Sequence, residues 1–213
     1  MLIIGLTGSI GMGKSTAAQH FVRRGIAVFD ADAAVHELYR GAAVGPIEAA
    51  FPGVTSDGVV DRQKLGAVLI EDPTRFSRLE AIVHPMVREA ERRFLREQAE
   101  AGADLVVLEI PLLFETGANA LVDVVIIVTA DAETQAARVL QRPGMTTEKL
   151  AQILGRQMPD LEKRQRADFI VDTNGPVEGT QAALDAIILK LRGEQRQAHD
   201  KQAYERHWSN PVD

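Results

Sequence analysis

This sequence predicts an α/β fold, a five-stranded parallel sheet with helices on both faces, and three observations carry that prediction. Apolar runs alternate with amphipathic stretches along most of the 213 residues, the pattern of parallel β/α units. Two runs, 105–110 and 122–128, are almost continuously apolar, as strands covered on both faces must be. The first run, LIIGLT, leads directly into the glycine-rich GSIGMGKS (8–15) and then into STAAQHFVRR, a helix-forming stretch.

Taken in order, the predicted strands are 2–7, 26–29, 105–110, 122–128 and 169–171. Residues 31–102 are too many for a simple crossover and read mostly as helix, with a Gly/Pro-containing break at FPGVTSDG. They read as an insertion that builds a substrate site. A second helical excursion, 143–166, is rich in Arg and Lys and stands where a mobile lid would stand. From Arg192 onward the chain is polar and charged, with no apolar stripe before Tyr204 and Trp208, and reads as an extension or fraying of the last helix. The expectation is one domain over residues 1–213, carrying the insertion and the lid.

Composition excludes several functions. With 46% hydrophobic and 25% charged residues this is the composition of an ordinary globular protein, and no apolar run is long enough to span a bilayer. No basic leader precedes the first strand, so a cytoplasmic location is expected. The absence of cysteine removes disulfides and thiolate metal sites. A formal net charge of -6 disfavours nucleic acid and anionic membranes as partners, since both are met with a basic face. Any anionic ligand must therefore be held by local positive groups.

GSIGMGKS supplies such groups. It fits G-x-x-x-x-G-K-[ST] between a strand and a helix. Its glycines let successive backbone N–H groups turn inward, and the helix N-terminus behind them adds partial positive charge. Lys14 would reach the outer phosphates of a nucleotide, and the Ser15 hydroxyl would be a Mg²⁺ ligand shared with phosphate oxygens. After the second strand, FDADAAVHELY places Asp30 and Asp32 at the carboxyl edge of the sheet. Asp32 could orient an acceptor hydroxyl for in-line attack on the γ-phosphate, with Asp30 holding water around the metal or bracing the loop. The alternative is that an Asp after a strand caps the next helix.

Arg138 and Arg142 are four apart in QAARVLQR, hence on one helical face, just before Pro143 and Gly144. They either converge on one anion or are two solvated arginines. Arg156 and the run EKRQR (162–166) either add to the positive field of the lid or form a solvated face, and the solvated face is the reading preferred. His84, between Ile82–Val83 and Pro85, reads equally as a helix-end histidine packed on its neighbours or as a substrate contact. Glu109 and Glu115 flank IPLLF; one of them could brace Lys14 or stand behind the metal, or both could be plain loop carboxylates, and neither enters the catalytic set.

Ordered segments along nearly the whole chain resemble the dephospho-CoA kinase family: GLTGSIGMGKST, FDADAAVHELY, DGVVDRQKL, LEAIVHPMV, EIPLLFE, VIIVTADAETQAARVLQR, RQMP and ADFIVDTNG. The resemblance implies a P-loop kinase-like fold with a helical substrate-binding insertion and a helical lid. It also implies MgATP-dependent phosphorylation of the ribose 3′-hydroxyl of dephospho-CoA, the last step of coenzyme A synthesis. By position it assigns Gly11, Met12, Gly13, Lys14, Ser15 and Thr16 to the ATP phosphates, and Asn174 with Gly175 to the neighbourhood of the adenine. Asp32 becomes the base or orienting carboxylate, and Arg138 and Arg142 act near the transferring phosphate. His84 and Pro85 belong to the helical substrate region, and Leu112, Leu113 and Phe114 to the wall near the acceptor. Ser9, Asp61 and Glu80 depart from the family pattern, where glycine, asparagine and asparagine are usual; Ser9 is compatible with the loop provided its φ is negative.

Other readings are another nucleoside or metabolite kinase on the same core, or a GTP-dependent switch. DTNG (172–175) fits the D-x-x-G shape of such switches, but it follows the last strand and no N-K-x-D segment is present. A nucleic-acid-binding ATPase runs against the acidic balance.

Overall fold

The computed structural model describes residues 1–72, 74–195 and 203–209. The chain divides into two compact units, Met1–Phe29 with Leu95–Asp213, and Asp30–Phe94.

The first unit is organised by β1 (Leu2–Thr7), whose six residues are all buried. It is the middle strand of the five-stranded sheet, which also contains β2 (Ala27–Asp30), β5 (Leu105–Glu109), β6 (Val124–Thr129) and β7 (Phe169–Asp172) in the order β2-β5-β1-β6-β7. β1 pairs in parallel with β5, setting Leu6 opposite Glu109, and with β6, setting Thr7 opposite Ile127. Because its neighbours come from later crossovers that pass to either side of it, the loop leaving β1 opens at a topological switch point, where α/β sheets bind ligands. The loop runs into α1 (Lys14–Arg23), which buries Ala17, Ala18 and Phe21 in one core with Ile4, Val107 and Ile126 of the sheet.

The predicted strands fall on observed ones with small shifts in their bounds. The first two residues of the predicted run 122–128 lie outside β6, for a local reason. A 3-10 turn (Ala118–Leu121) precedes them, and Asp123 then binds β1 twice: its N–H donates to the Ile3 carbonyl and its Oδ2 accepts the Ile3 N–H at 2.8 Å.

The remaining helices of this unit are α6 (Ala132–Leu140), α7 (Thr147–Leu154), α8 (Asp160–Arg166) and α9 (Val177–Gln195). α6 and α7 start on side-chain caps, Asp131 accepting from Thr134 N–H and Thr146 from Lys149 N–H. The tail does more than extend α9. Residues 204–208 form a separate turn in which Trp208 is buried and donates Nε1–H to the Leu121 carbonyl at 2.9 Å. The rest of the tail, 196–202 and 210–213, lies outside the described residues. No helix among the described residues is long and apolar enough to cross a membrane.

The second unit contains α2 (Ala31–Leu38), α3 (Val44–Ala50), α4 (Arg62–Glu71) and the first part of α5 (Arg75–Glu100), around a core of Ile47, Phe51, Val54, Leu65, Leu69 and Val83. The break expected at FPGVTSDG is a small hairpin, β3 (Thr55–Ser56) with β4 (Val59–Val60). Asp57 and Gly58 both take positive φ, 53° and 76°, the conformation that a two-residue hairpin turn needs. Glu48 secures it by accepting from the Gly53 and Thr55 N–H groups and the Thr55 hydroxyl. These bonds, the one from Gly53 foremost, hold the Glu48 carboxyl below its usual range. Pro85 does not end a helix: α5 runs through it for 26 residues, so His84 is an exposed mid-helix residue and not a helix-end one packed on its neighbours. A proline costs one ladder bond, and the amphipathic burial of so long a helix outweighs that.

Candidate active site

The loop between β1 and α1 is shaped by backbone conformations that only glycine adopts easily. Gly11 has φ +80°, and a Cβ there would lie 2.6 Å from Val139 Cγ2 on α6. Gly13 is the N-cap of α1 at φ +86°, with no side-chain cap. The helix ladder begins only at Ala17, whose N–H donates to Gly13 O at 3.2 Å. The N–H groups of Lys14, Ser15 and Thr16 therefore precede it, at the positive end of the helix dipole. Ser9 lies outside the left-handed region, where Asp57 is the sole non-glycine residue among those described, so a side chain is compatible with that position.

The loop is fastened on several sides. Met12 is buried, its N–H is taken by the Ser9 carbonyl at 3.2 Å, and its sulfur accepts the Ala130 N–H. Met12 therefore serves the loop as an anchor in the core. Gln135 donates Nε2–H to the Ile10 carbonyl at 2.7 Å, and Gln157 Oε1 accepts the Ile10 N–H at 3.3 Å.

Lys14 Nζ lies 2.6 Å from Oε1 of Glu109, the last residue of β5, and both side chains are largely buried. The register of β1 with β5 brings the two together. Ser15 is exposed beside them, and Thr16 is half-buried. Among the described residues no group of three or more His, Asp or Glu could enclose a metal ion. Mg²⁺ keeps several waters and takes one or two protein oxygens plus substrate phosphates, and the exposed Ser15 Oγ is an oxygen that could serve such a cation.

Arg138 and Arg142 do not share a helical face. α6 ends at Leu140, and Arg142 stands in the following turn, its N–H donating to Val139 O. The Pro143–Gly144 pair stops the helix earlier than the four-residue spacing suggested. Arg138 donates from Nη1 to Thr173 Oγ1 at 3.0 Å and to Gly11 O at 3.4 Å, and from Nη2 to Thr173 O, so it ties the phosphate loop to the chain leaving β7. Arg142 is exposed, and its guanidinium has no hydrogen bond or ion pair among the described residues. Next to Thr173, Asn174 accepts the Asp131 N–H at 2.9 Å through Oδ1, and Gly175 has open space where a Cβ would stand.

Of the apolar trio after β5, only Leu112 is exposed. Leu113 is fully buried, packed over Gly5 in the middle of β1, and Phe114 is buried, so both serve as core. Glu115 accepts the Met158 N–H at 2.8 Å and lies 2.9 Å from Lys163 Nζ. Lys163 belongs to the run expected to form a solvated basic face, yet its side chain is 0% exposed. Burial raises the Glu115 carboxyl, but Lys163 and the Met158 N–H together carry it below its usual range.

In the second unit, Asp30 closes β2 and caps α2, its Oδ1 accepting the Ala33 N–H at 3.0 Å. Capping occupies Asp30. Asp32, two residues on, is exposed in the first turn of the same helix. His84 and Pro85 are both exposed on α5.

A parallel sheet whose central strand feeds a glycine-shaped N–H cradle, a lysine and a serine defines a nucleotide-dependent phosphotransferase of the P-loop kinase class. Comparison with known proteins narrows the class. The family model described as dephospho-CoA kinase matches residues 2–178, and the chain belongs to that family. A dephospho-CoA kinase from Mesorhizobium japonicum is 56% identical over 194 residues, covering 91% of this chain and 98% of its own. A crystal structure from Thermus thermophilus, 37% identical, matches with a TM-score of 0.78 over 89% of this chain and 97% of its own. The dephospho-CoA kinase from Campylobacter jejuni, 23% identical, shares the fold with a TM-score of 0.69 over 91% of this chain and 98% of its own.

Proposed function

We propose that this protein carries the γ-phosphoryl group of MgATP to the ribose 3′-hydroxyl of dephospho-CoA, in the cytoplasm, with the residue roles that follow. The observation that carries this reading is the pairing of Lys14 with Glu109 at the mouth of a cradle of helix-end N–H groups. An ammonium group held there by a carboxylate is placed to move onto phosphate oxygens when they arrive.

The N–H groups of the first turn of α1 bind the phosphates, and Lys14 stabilises charge on the outer ones. Mg²⁺, held by Ser15 and phosphate oxygens, supplies further charge neutralisation when bound. Asp32 accepts the proton of the 3′-hydroxyl as that oxygen forms its bond to the γ-phosphorus. The bond from phosphorus to the β,γ-bridging oxygen breaks, and ADP leaves. Arg138, bonded to Thr173 and Gly11, keeps the loop in shape. Arg142 has donors to spare for the transferring group. Leu112 and the exposed His84 are the acceptor contacts this reading retains, and Asn174 with Gly175 borders the adenine.

The test is ATP consumption with Mg²⁺, with and without dephospho-CoA, followed by mass spectrometry of the acceptor. Gain of one phosphoryl group at the 3′-hydroxyl supports the reading; ATP binding with dephospho-CoA untouched directs the search to another acceptor.

A further inference from the structure

The foot of the basic segment 143–166 grips two parts of the site at adjacent residues. Gln157 Oε1 accepts the Ile10 N–H of the phosphate loop at 3.3 Å, and the Met158 N–H donates to Glu115 Oε1 at 2.8 Å. Glu115 in turn stands in the loop that follows β5 and carries Leu112. The same foot is fixed to the sheet behind it: Thr129 Oγ1 at the end of β6 donates to Asp160 Oδ2 at 2.8 Å, and Lys163 is sealed against Glu115. Nothing in the phosphoryl-transfer chemistry requires an amide side chain at 157 or a buried Lys–Glu pair here. Burying an ammonium and a carboxylate costs desolvation, which makes the pair a device for fixing one arrangement and a poor source of stability.

We infer that Gln157 and Glu115 are positioning residues which form one joint, linking the segment 143–166 to the phosphate loop and to the loop after β5. The inference rests on the kinase reading above. Ile10 is held from both sides, its carbonyl by Gln135 and its N–H by Gln157. A turn of the backbone at Ile10 breaks or drags the Gln157 contact, and a shift of the neighbouring Met158 disturbs its bond to Glu115. Through this joint, phosphates in the cradle and closure of the segment report to each other. An enzyme wired this way hydrolyses little ATP before the acceptor is in place, because closure excludes water only when both loops are in register.

The decisive variants are Gln157→Met, which keeps the volume and removes the acceptor, and Gln157→Glu, which keeps an acceptor. With the parent first shown to phosphorylate dephospho-CoA, Gln157→Met should raise the ratio of ATP hydrolysed to acceptor phosphorylated by about fivefold or more, with an unchanged melting temperature. Closure of the segment over bound ATP and dephospho-CoA should protect residues 143–166 from proteolysis in the parent, and Gln157→Met should abolish that protection. Gln157→Glu should hold the ratio within about twofold of the parent while raising KM for ATP, since its charge stands beside the loop proposed to bind the phosphates. Glu115→Gln strands the Lys163 charge and is compared with Glu115→Gln/Lys163→Met, which removes that charge; both should lose protection of the segment. A Gln157→Met variant with the parent's ratio and proteolytic protection overturns the joint and leaves the kinase standing. A parent that leaves dephospho-CoA untouched overturns the kinase reading, and the joint with it.

Discussion

Lys14 at the start of α1 and Glu109 at the end of β5 are 95 residues apart and 2.6 Å apart at their charged atoms. On the proposed reading, a nucleotide's outer phosphates compete with the carboxylate for the lysine.

Lys14→Ala should lower kcat at least about a hundredfold, because stabilisation of developing charge is usually the largest catalytic term. It should also lower the melting temperature, since Glu109 is then left buried and unpaired. The double variant Lys14→Ala/Glu109→Gln should recover the melting temperature and not the turnover. Recovery of both would mean that Lys14 acts through folding alone.

Asp30 and Asp32 separate by the same logic. Asp30→Ala should cost about 1 kcal/mol of stability through the lost cap of α2. Asp32→Asn should leave ATP binding and stability near the parent while phosphoryl transfer is lost, read by calorimetry and by single-turnover kinetics. Loss of ATP binding in Asp32→Asn would make it a metal or structural group.

For the two arginines the expected phenotypes differ. Arg138→Ala should weaken ATP binding and lower stability, because the bonds to Thr173 and Gly11 hold the loop. Arg142→Ala should lower kcat by about tenfold or more with ATP affinity unchanged, as expected for a contact made in the transition state. Equal effects on binding in both would refute the division of roles.

Far from the loop, Asp185 on α9 accepts hydrogen bonds from Arg24 and from His20 Nε2 on α1. These bonds, the one from Arg24 foremost, lower the Asp185 carboxyl from 3.8 to about 2. A carboxylate whose folded value is depressed adds stability above its unfolded value and loses it as pH falls between the two. Acid unfolding of the parent should therefore steepen between pH 3.8 and about 2, and Asp185→Asn should flatten that part of the profile. An identical profile in the variant would assign the acid limb to other carboxylates.

The legible parts of this protein are those encoded locally. LIIGLT followed by GSIGMGKS needs only neighbouring residues to specify strand, cradle and helix, and the strands of the sheet follow from uninterrupted apolar runs. The Asp57–Gly58 hairpin was equally local, but its strands are two residues long, too short for alternation to register. The end of α6 was lost for a related reason: four-residue spacing places two arginines on one face only while the helix lasts.

By itself the sequence determined the sheet, the phosphate loop, the two-carboxylate segment after β2 and the family, because each rests on dihedral preferences, periodicity or ordered motifs along the chain. Tertiary structure alone decided which charge meets which. It paired Lys14 with Glu109, buried Lys163 against Glu115, turned Arg138 onto Thr173 and placed Trp208 under Leu121. A charged side chain in a sequence is compatible with solvent or with any opposite charge; its partner is fixed only when strand register and helix packing bring distant segments within hydrogen-bond reach.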